Sequence, residues 1–138
     1  MWKIYALLSA VFAALTAIFV KLGVKNVDSN LATAIRTTVI LLITWGIVVV
    51  SGHFAEIKVI NRNTWLFLLL SGIATGLSWL FYFKALQMGD VSRVAPIDKL
   101  SVVITILLSF LILKEPVTPR VWIGGAFIAL GSIIMILK

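Results

Sequence analysis

The chain contains no cysteine, one histidine (His53) and five acidic residues in 138 positions. Without cysteine there can be no disulfide framework, thiol nucleophile or thiolate metal site. A lone histidine argues against a multi-histidine zinc centre and against a Ser-His-Asp arrangement within one chain. No metal and no cofactor is expected, and the scattered hydroxyls include no nucleophile beside a base, so an enzyme is the least expected reading. Charge as a whole is scarce. Charged residues make up 12% of the chain and apolar residues 62%, against about 25% and about 45–50% in soluble domains. So few charges cannot form a polar skin over long apolar runs, which excludes a soluble globular domain. The net charge of +7 is spread singly or in pairs between those runs, with no basic stripe, so nucleic acid is not an expected partner.

What the chain does have is apolar runs. At about 20 residues per helical span, its length holds five spans and no soluble module. The expected fold is all-α, one polytopic transmembrane domain over residues 1–138. The first span covers 4–20, between Lys3 and Lys21; it is long for a signal-peptide core and no small-residue cleavage site follows, so it is read as retained. The second, 31–50, follows Asp28-Ser29-Asn30, residue types that cap helix N-termini. The third, 64–84, opens on Thr64-Trp65, a suitable interfacial anchor, and the fifth covers 121–137. The fourth is unusual. Only 14 uncharged residues separate Lys99 from Lys114, and they reach roughly 21 Å where the hydrocarbon core is about 30 Å thick. Either the segment is re-entrant, or a helix over 94–113 carries Asp98 and Lys99 into the membrane edge. The second reading is favoured, with Pro96 in the first turn and Asp98 complementing the positive helix end.

Basic residues outside the spans do not fix an orientation. Lys3, Lys58, Arg62, Lys114 and Arg120 lie on one side; Lys21, Lys25, Arg93 and Lys138 lie on the other, joined there by Arg36, Lys84 and Lys99 if these snorkel. So even a count is compatible with insertion both ways round and an antiparallel pair of copies, or with packing that selects one orientation. Five helices enclose little volume, so a pathway forms more easily between two chains. Gly72 and Gly76 in the third span, and Gly125, Ala129 and Ser132 in the fifth, form small-residue faces for close helix packing.

A charge inside a span costs at least about 2.5–3.5 kcal/mol at its centre, so Arg36, Lys84, Asp98 and Lys99 each need a reason. With alternating spans all four fall toward one membrane side and outline a polar vestibule. Asp98, Ser101, Thr105 and Ser109 share one helical face, as do Thr33, Arg36, Thr37 and Thr44. These stripes could line a pathway, or their hydroxyls could bond back to their own helices. Arg36 could pair with Asp98 or attract an anionic solute. Trp79 and Tyr82 could form a binding wall, although an aromatic belt also accounts for them. Asp98 is the acid best placed to couple transport to protons.

The order of several segments resembles the drug/metabolite transporter superfamily, specifically one EamA-like five-helix repeat. These are Phe19-Val20-Lys21 closing span one, Ala34-Ile35-Arg36 in span two and Phe81-Tyr82-Phe83-Lys84-Ala85-Leu86 ending span three. Leu113-Lys114-Glu115 follows span four, and Trp122-Ile123-Gly124-Gly125 with Ala129-Leu130-Gly131 completes the pattern. Members similar to this carry two inverted repeats and move small metabolites. The resemblance therefore implies a multi-pass cell-membrane transporter of a prokaryote (plasma or inner membrane), here a single repeat working as an antiparallel homodimer. One departure is span four, where the family's early proline is replaced by Ser101-Val102 while Pro96 comes earlier, so substrate does not carry over. The expected function is a small-solute carrier working by alternating access, for export or exchange, with Arg36, Thr37, Trp79, Tyr82, Lys84, Asp98, Lys99, Ser101 and Thr105 on its pathway. The positive surplus favours solutes with a carboxylate or phosphate. The alternatives are a small multidrug-type exporter, disfavoured because span one has no membrane-embedded acid for a cationic drug, only Thr16 and Ser9, and a non-transporting membrane scaffold or accessory subunit.

Overall fold

The computed structural model describes residues 1–137, and its regular elements are all helical. Helix α1 is Trp2–Gly23, α2 Ser29–Val50, α3 Arg62–Met88, α4 Val91–Asp98, α5 Leu100–Leu111 and α6 Pro119–Ile136; 3-10 turns at Val24–Asn26 and His53–Val59 make the first two connections. Five stretches are long and apolar enough to cross a membrane: α1, α2, α3, the α4–α5 pair and α6. Lys138, counted above among the flanking basic residues, lies outside the described residues, as does the side chain of Lys25. Large apolar side chains stand exposed on every span, among them Leu7, Leu42, Phe67, Phe81 and Ile134. Lipid, which is as apolar as these side chains, is the environment such surfaces require.

Local chemistry sets the helix ends. Asp28 Oδ1 accepts hydrogen bonds from the Asn30 and Leu31 amides at 2.9 and 3.1 Å, so α2 starts at Ser29 rather than Leu31. Asn61 Oδ1 accepts from the Thr64 amide at 2.8 Å. Pro119 opens α6 at a position where a missing N–H costs nothing. At the end of α5, Lys114 adopts φ 54° and the Glu115 amide bonds back to the Ser109 carbonyl at 3.2 Å, which stops the helix in a left-handed cap.

The fourth span differs from the expected single helix beginning near Val94. It begins at Val91, where the Asp90 carbonyl accepts from the Arg93 and Val94 amides at 3.0 and 2.9 Å. Pro96 therefore falls in the second turn, where it has no N–H to offer the Ser92 carbonyl. Just beyond it, the Lys99 amide is shared between the Ala95 and Pro96 carbonyls at 3.3 and 3.1 Å, and the Val102 amide turns to the Lys99 carbonyl at 3.0 Å. This 3-10 tightening separates α4 from α5 and sets Asp98 and Lys99 at the joint.

Contacts gather into two units, Met1–Phe19 with Met88–Lys138, and Val20–Gln87. In the first, α6 packs on α4 and α5. Gly125 and Ser132 are buried there and Ala129 is half-buried, while the Phe110 and Trp122 rings meet edge-on at 6.1 Å. A Cβ on Gly125 would stand 3.2 Å from Ile106 Cδ1, whereas one on the adjacent Gly124 would meet open space. Gly125→Leu is accordingly expected to destabilise the fold by about 1–3 kcal/mol through overpacking. Gly124→Leu should leave it near wild type, and thermal unfolding of both variants in detergent checks the contrast. In the second unit the best-buried residues, Val24, Ser29, Thr33, Phe83 and Leu86, cluster where the end of α1, the start of α2 and the end of α3 meet. Gly72 and Gly76 on α3 face open space.

Candidate functional site

The C-terminal turn of α3 leaves carbonyls without intrahelical partners, and a lysine from the end of α1 reaches one of them. Lys21 Nζ donates to the Leu86 carbonyl at 2.8 Å, placing a cation on the negative end of the helix. Gln87 Nε2 donates to the Val27 and Val24 carbonyls at 2.7 and 3.3 Å, tying α3 to the α1–α2 connection. Leu86 between them is fully buried. This frame holds the end of α3 against α2.

Arg36 lies about two turns inside the Asp28 cap. Its guanidinium carbon sits 4.2 Å from the centre of the Trp79 ring and 5.2 Å from that of Phe83. Trp79 and Phe83 are four residues apart on one face of α3, so both rings present themselves to the same group. Such contacts contribute about 0.5–2 kcal/mol each, more as water is excluded. Arg36 is half-buried, and within its unit it makes no ion pair or hydrogen bond to any described residue. The positive charge is held against aromatic rings, with no counter-ion among the described residues of its unit.

The other sequence candidates fall as follows. Tyr82 is half-buried with its ring 6.4 Å from that of Phe83, and Lys84 is exposed, inside α3 rather than at its end. Thr33, Thr37 and Thr44 donate to the carbonyls of Ser29, Thr33 and Ile40 at 2.8, 2.7 and 2.9 Å. The hydroxyl stripe of α2 is thus satisfied by its own helix. Thr37 also lines a groove of about 340 Å³ with Asn30, Thr33, Gly76 and Leu80. In the first unit Asp98 Oδ2 pairs with Lys99 Nζ at 3.2 Å. The exposed Thr105 hydroxyl donates to the carbonyl of Ser101, also exposed, at 2.8 Å, and Ser109 donates to the Ile106 carbonyl at 3.1 Å. No group of three or more potential metal ligands occurs among the described residues.

Sequence reasoning missed Phe83, Lys21 and Gln87. For Phe83 the available signal was its spacing of four from Trp79; for Gln87 it was an amide isolated at the end of an apolar helix. Lys21 had been read as a flanking charge.

Five membrane-capable stretches, with a cation on one set against aromatic rings of the next, are those of a multi-pass membrane protein. The chain belongs to the EamA-like transporter family, which matches residues 1–137. A Sinorhizobium sp. protein described as "Uncharacterized transporter in cobO 3'region" is 51% identical over 134 residues, covering 97% of this chain and 95% of the relative. A Pseudomonas savastanoi pv. phaseolicola protein described as "Probable 4-amino-4-deoxy-L-arabinose-phosphoundecaprenol flippase subunit ArnE" is 36% identical over 70 residues, covering 51% of this chain and 60% of that protein. No solved structure matches the chain.

Proposed function

We propose that this EamA-family transporter is a homodimeric carrier that moves small anionic solutes by alternating access. The observation that carries the reading is Arg36, a half-buried cation with aromatic neighbours and no acid beside it in its unit. An arginine kept only to lock helices together would be expected to find a carboxylate, because a neutralised pair is the cheaper way to hold charge at low dielectric. A carrier instead leaves the positive charge for its solute's carboxylate or phosphate. Gly72 and Gly76, open on α3, offer a close-packing face for a second copy, so that the pathway forms between two chains. Asp98, paired with Lys99 at the α4–α5 joint, is the candidate for proton coupling.

A second reading, subunit of a flippase for a phosphate-bearing lipid, is supported by the likeness to the Pseudomonas protein over half the chain. Both readings place an anionic group at Arg36. Liposomes containing the purified protein should take up some members of a panel of carboxylates and phosphate monoesters, whereas movement confined to lipid-linked phosphates would favour the flippase. Insertion is tested with single cysteines at Asn61 and Lys25 and an impermeant thiol reagent. Labelling of each site from both membrane faces is the result expected of an antiparallel dimer. One-sided labelling would rule that arrangement out.

A further inference from the structure

The inference concerns which anions Arg36 takes, and it rests on the reading of Arg36 as the solute-binding group. A guanidinium carbon 4.2 Å from one ring centre and 5.2 Å from another leaves no room for an oxygen or a halide in between. An anion therefore reaches Arg36 from a direction away from the two rings. The N–H groups of arginine project in the guanidinium plane, and no described residue in the unit uses them. We infer that Trp79 and Phe83 are positioning residues that hold the Arg36 guanidinium so that an anion meets its unused N–H groups. The site thereby selects anions with two oxygens spaced for a fork, carboxylates and phosphates, over spherical anions.

Three consequences separate this from a site that works by charge. Lysine at position 36 keeps the charge but presents it as a point, with no planar fork. Loss of the Trp79 ring keeps the arginine but frees its orientation. Chloride, which accepts from any direction, gains nothing from the fork. Phe83 is almost completely buried, so its truncation would disturb packing as well; Trp79, half-buried, is the cleaner position to vary.

The test uses the full-length protein purified in detergent, with radiolabelled inorganic phosphate as the probe and unlabelled acetate or chloride as competitor. Each variant is first checked for wild-type helix content and melting temperature, and Arg36→Lys and Trp79→Leu provide independent routes if one does not fold. Wild type should bind phosphate and release it to acetate far more readily than to chloride. Arg36→Lys and Trp79→Leu should each weaken phosphate binding by about tenfold or more, with Trp79→Phe restoring it to within about threefold. If chloride competes as well as acetate, or if Arg36→Lys and Trp79→Leu bind like wild type while Arg36→Gln does not, the fork is overturned and the anion reading stands. If wild type binds no phosphate, or Arg36→Gln binds it unchanged, the anion reading itself falls and the fork with it.

Discussion

Phe83→Ala is expected to destabilise the folded chain by about 2–3 kcal/mol, at or below the bottom of the range of about 3–5 kcal/mol for a buried aromatic in a soluble core. Phe83 is 1% exposed. In a soluble core its truncation would lose both transfer energy and packing. In a membrane the first contribution is small, because lipid tails are as apolar as the side chain, and the cavity dominates. The same change removes one of the two rings against Arg36, so anion binding should weaken along with stability. Phe81, two residues away and 74% exposed, supplies the control: Phe81→Ala should shift stability by less than about 0.5 kcal/mol. Unfolding of the two variants in detergent, followed by circular dichroism, measures the difference. Equal effects would show that the end of α3 is not the packed centre of its unit.

Arg36→Gln should reduce flux of an anionic solute by about ten- to a hundredfold. This corresponds to losing charge-assisted hydrogen bonds of roughly 1.5–3 kcal/mol in all. Glutamine keeps polarity and much of the length while removing the charge, and no acid in the unit loses a partner, since Arg36 has none there. The fold should therefore survive. The loss should appear mainly in KM if Arg36 holds the solute equally in both states of the carrier, and in the maximal rate if it holds the solute more tightly during the switch between them. Flux of a neutral solute, if one is carried, should be little affected.

Much of this architecture is legible in the sequence because each span is a long apolar run bounded by charges or cap residues. Asp28, among the cap residue types expected before the second span, does cap α2. The fourth span was less legible because two local preferences compete: Asp90 starts a helix at Val91, and that start forces Pro96 into the second turn, where the backbone must tighten. A reading that put proline first could not anticipate the joint at Lys99. Shared faces of hydroxyls were visible from spacing, but whether Thr37 or Thr105 points its hydrogen outward or back to its own helix is decided by rotamer. Arg36 stood out from its cost alone. Its aromatic neighbours depend on the register of α2 against α3, which no local pattern encodes, so Trp79 was seen as a possible wall and Phe83 was missed. The bond from Lys21 to Leu86 was hidden for the same reason.

The proposed transport depends on Arg36: anionic solutes are to cross this EamA-family protein through a site built on it. Counterflow in liposomes tests it most directly: vesicles containing the purified protein are loaded with an unlabelled carboxylate or phosphate monoester and diluted into the same solute carrying a radiolabel. Wild-type protein should show transient accumulation of label for at least one such solute, and Arg36→Gln should abolish it. Accumulation that is undiminished in Arg36→Gln, or seen only for neutral or cationic solutes, would contradict it.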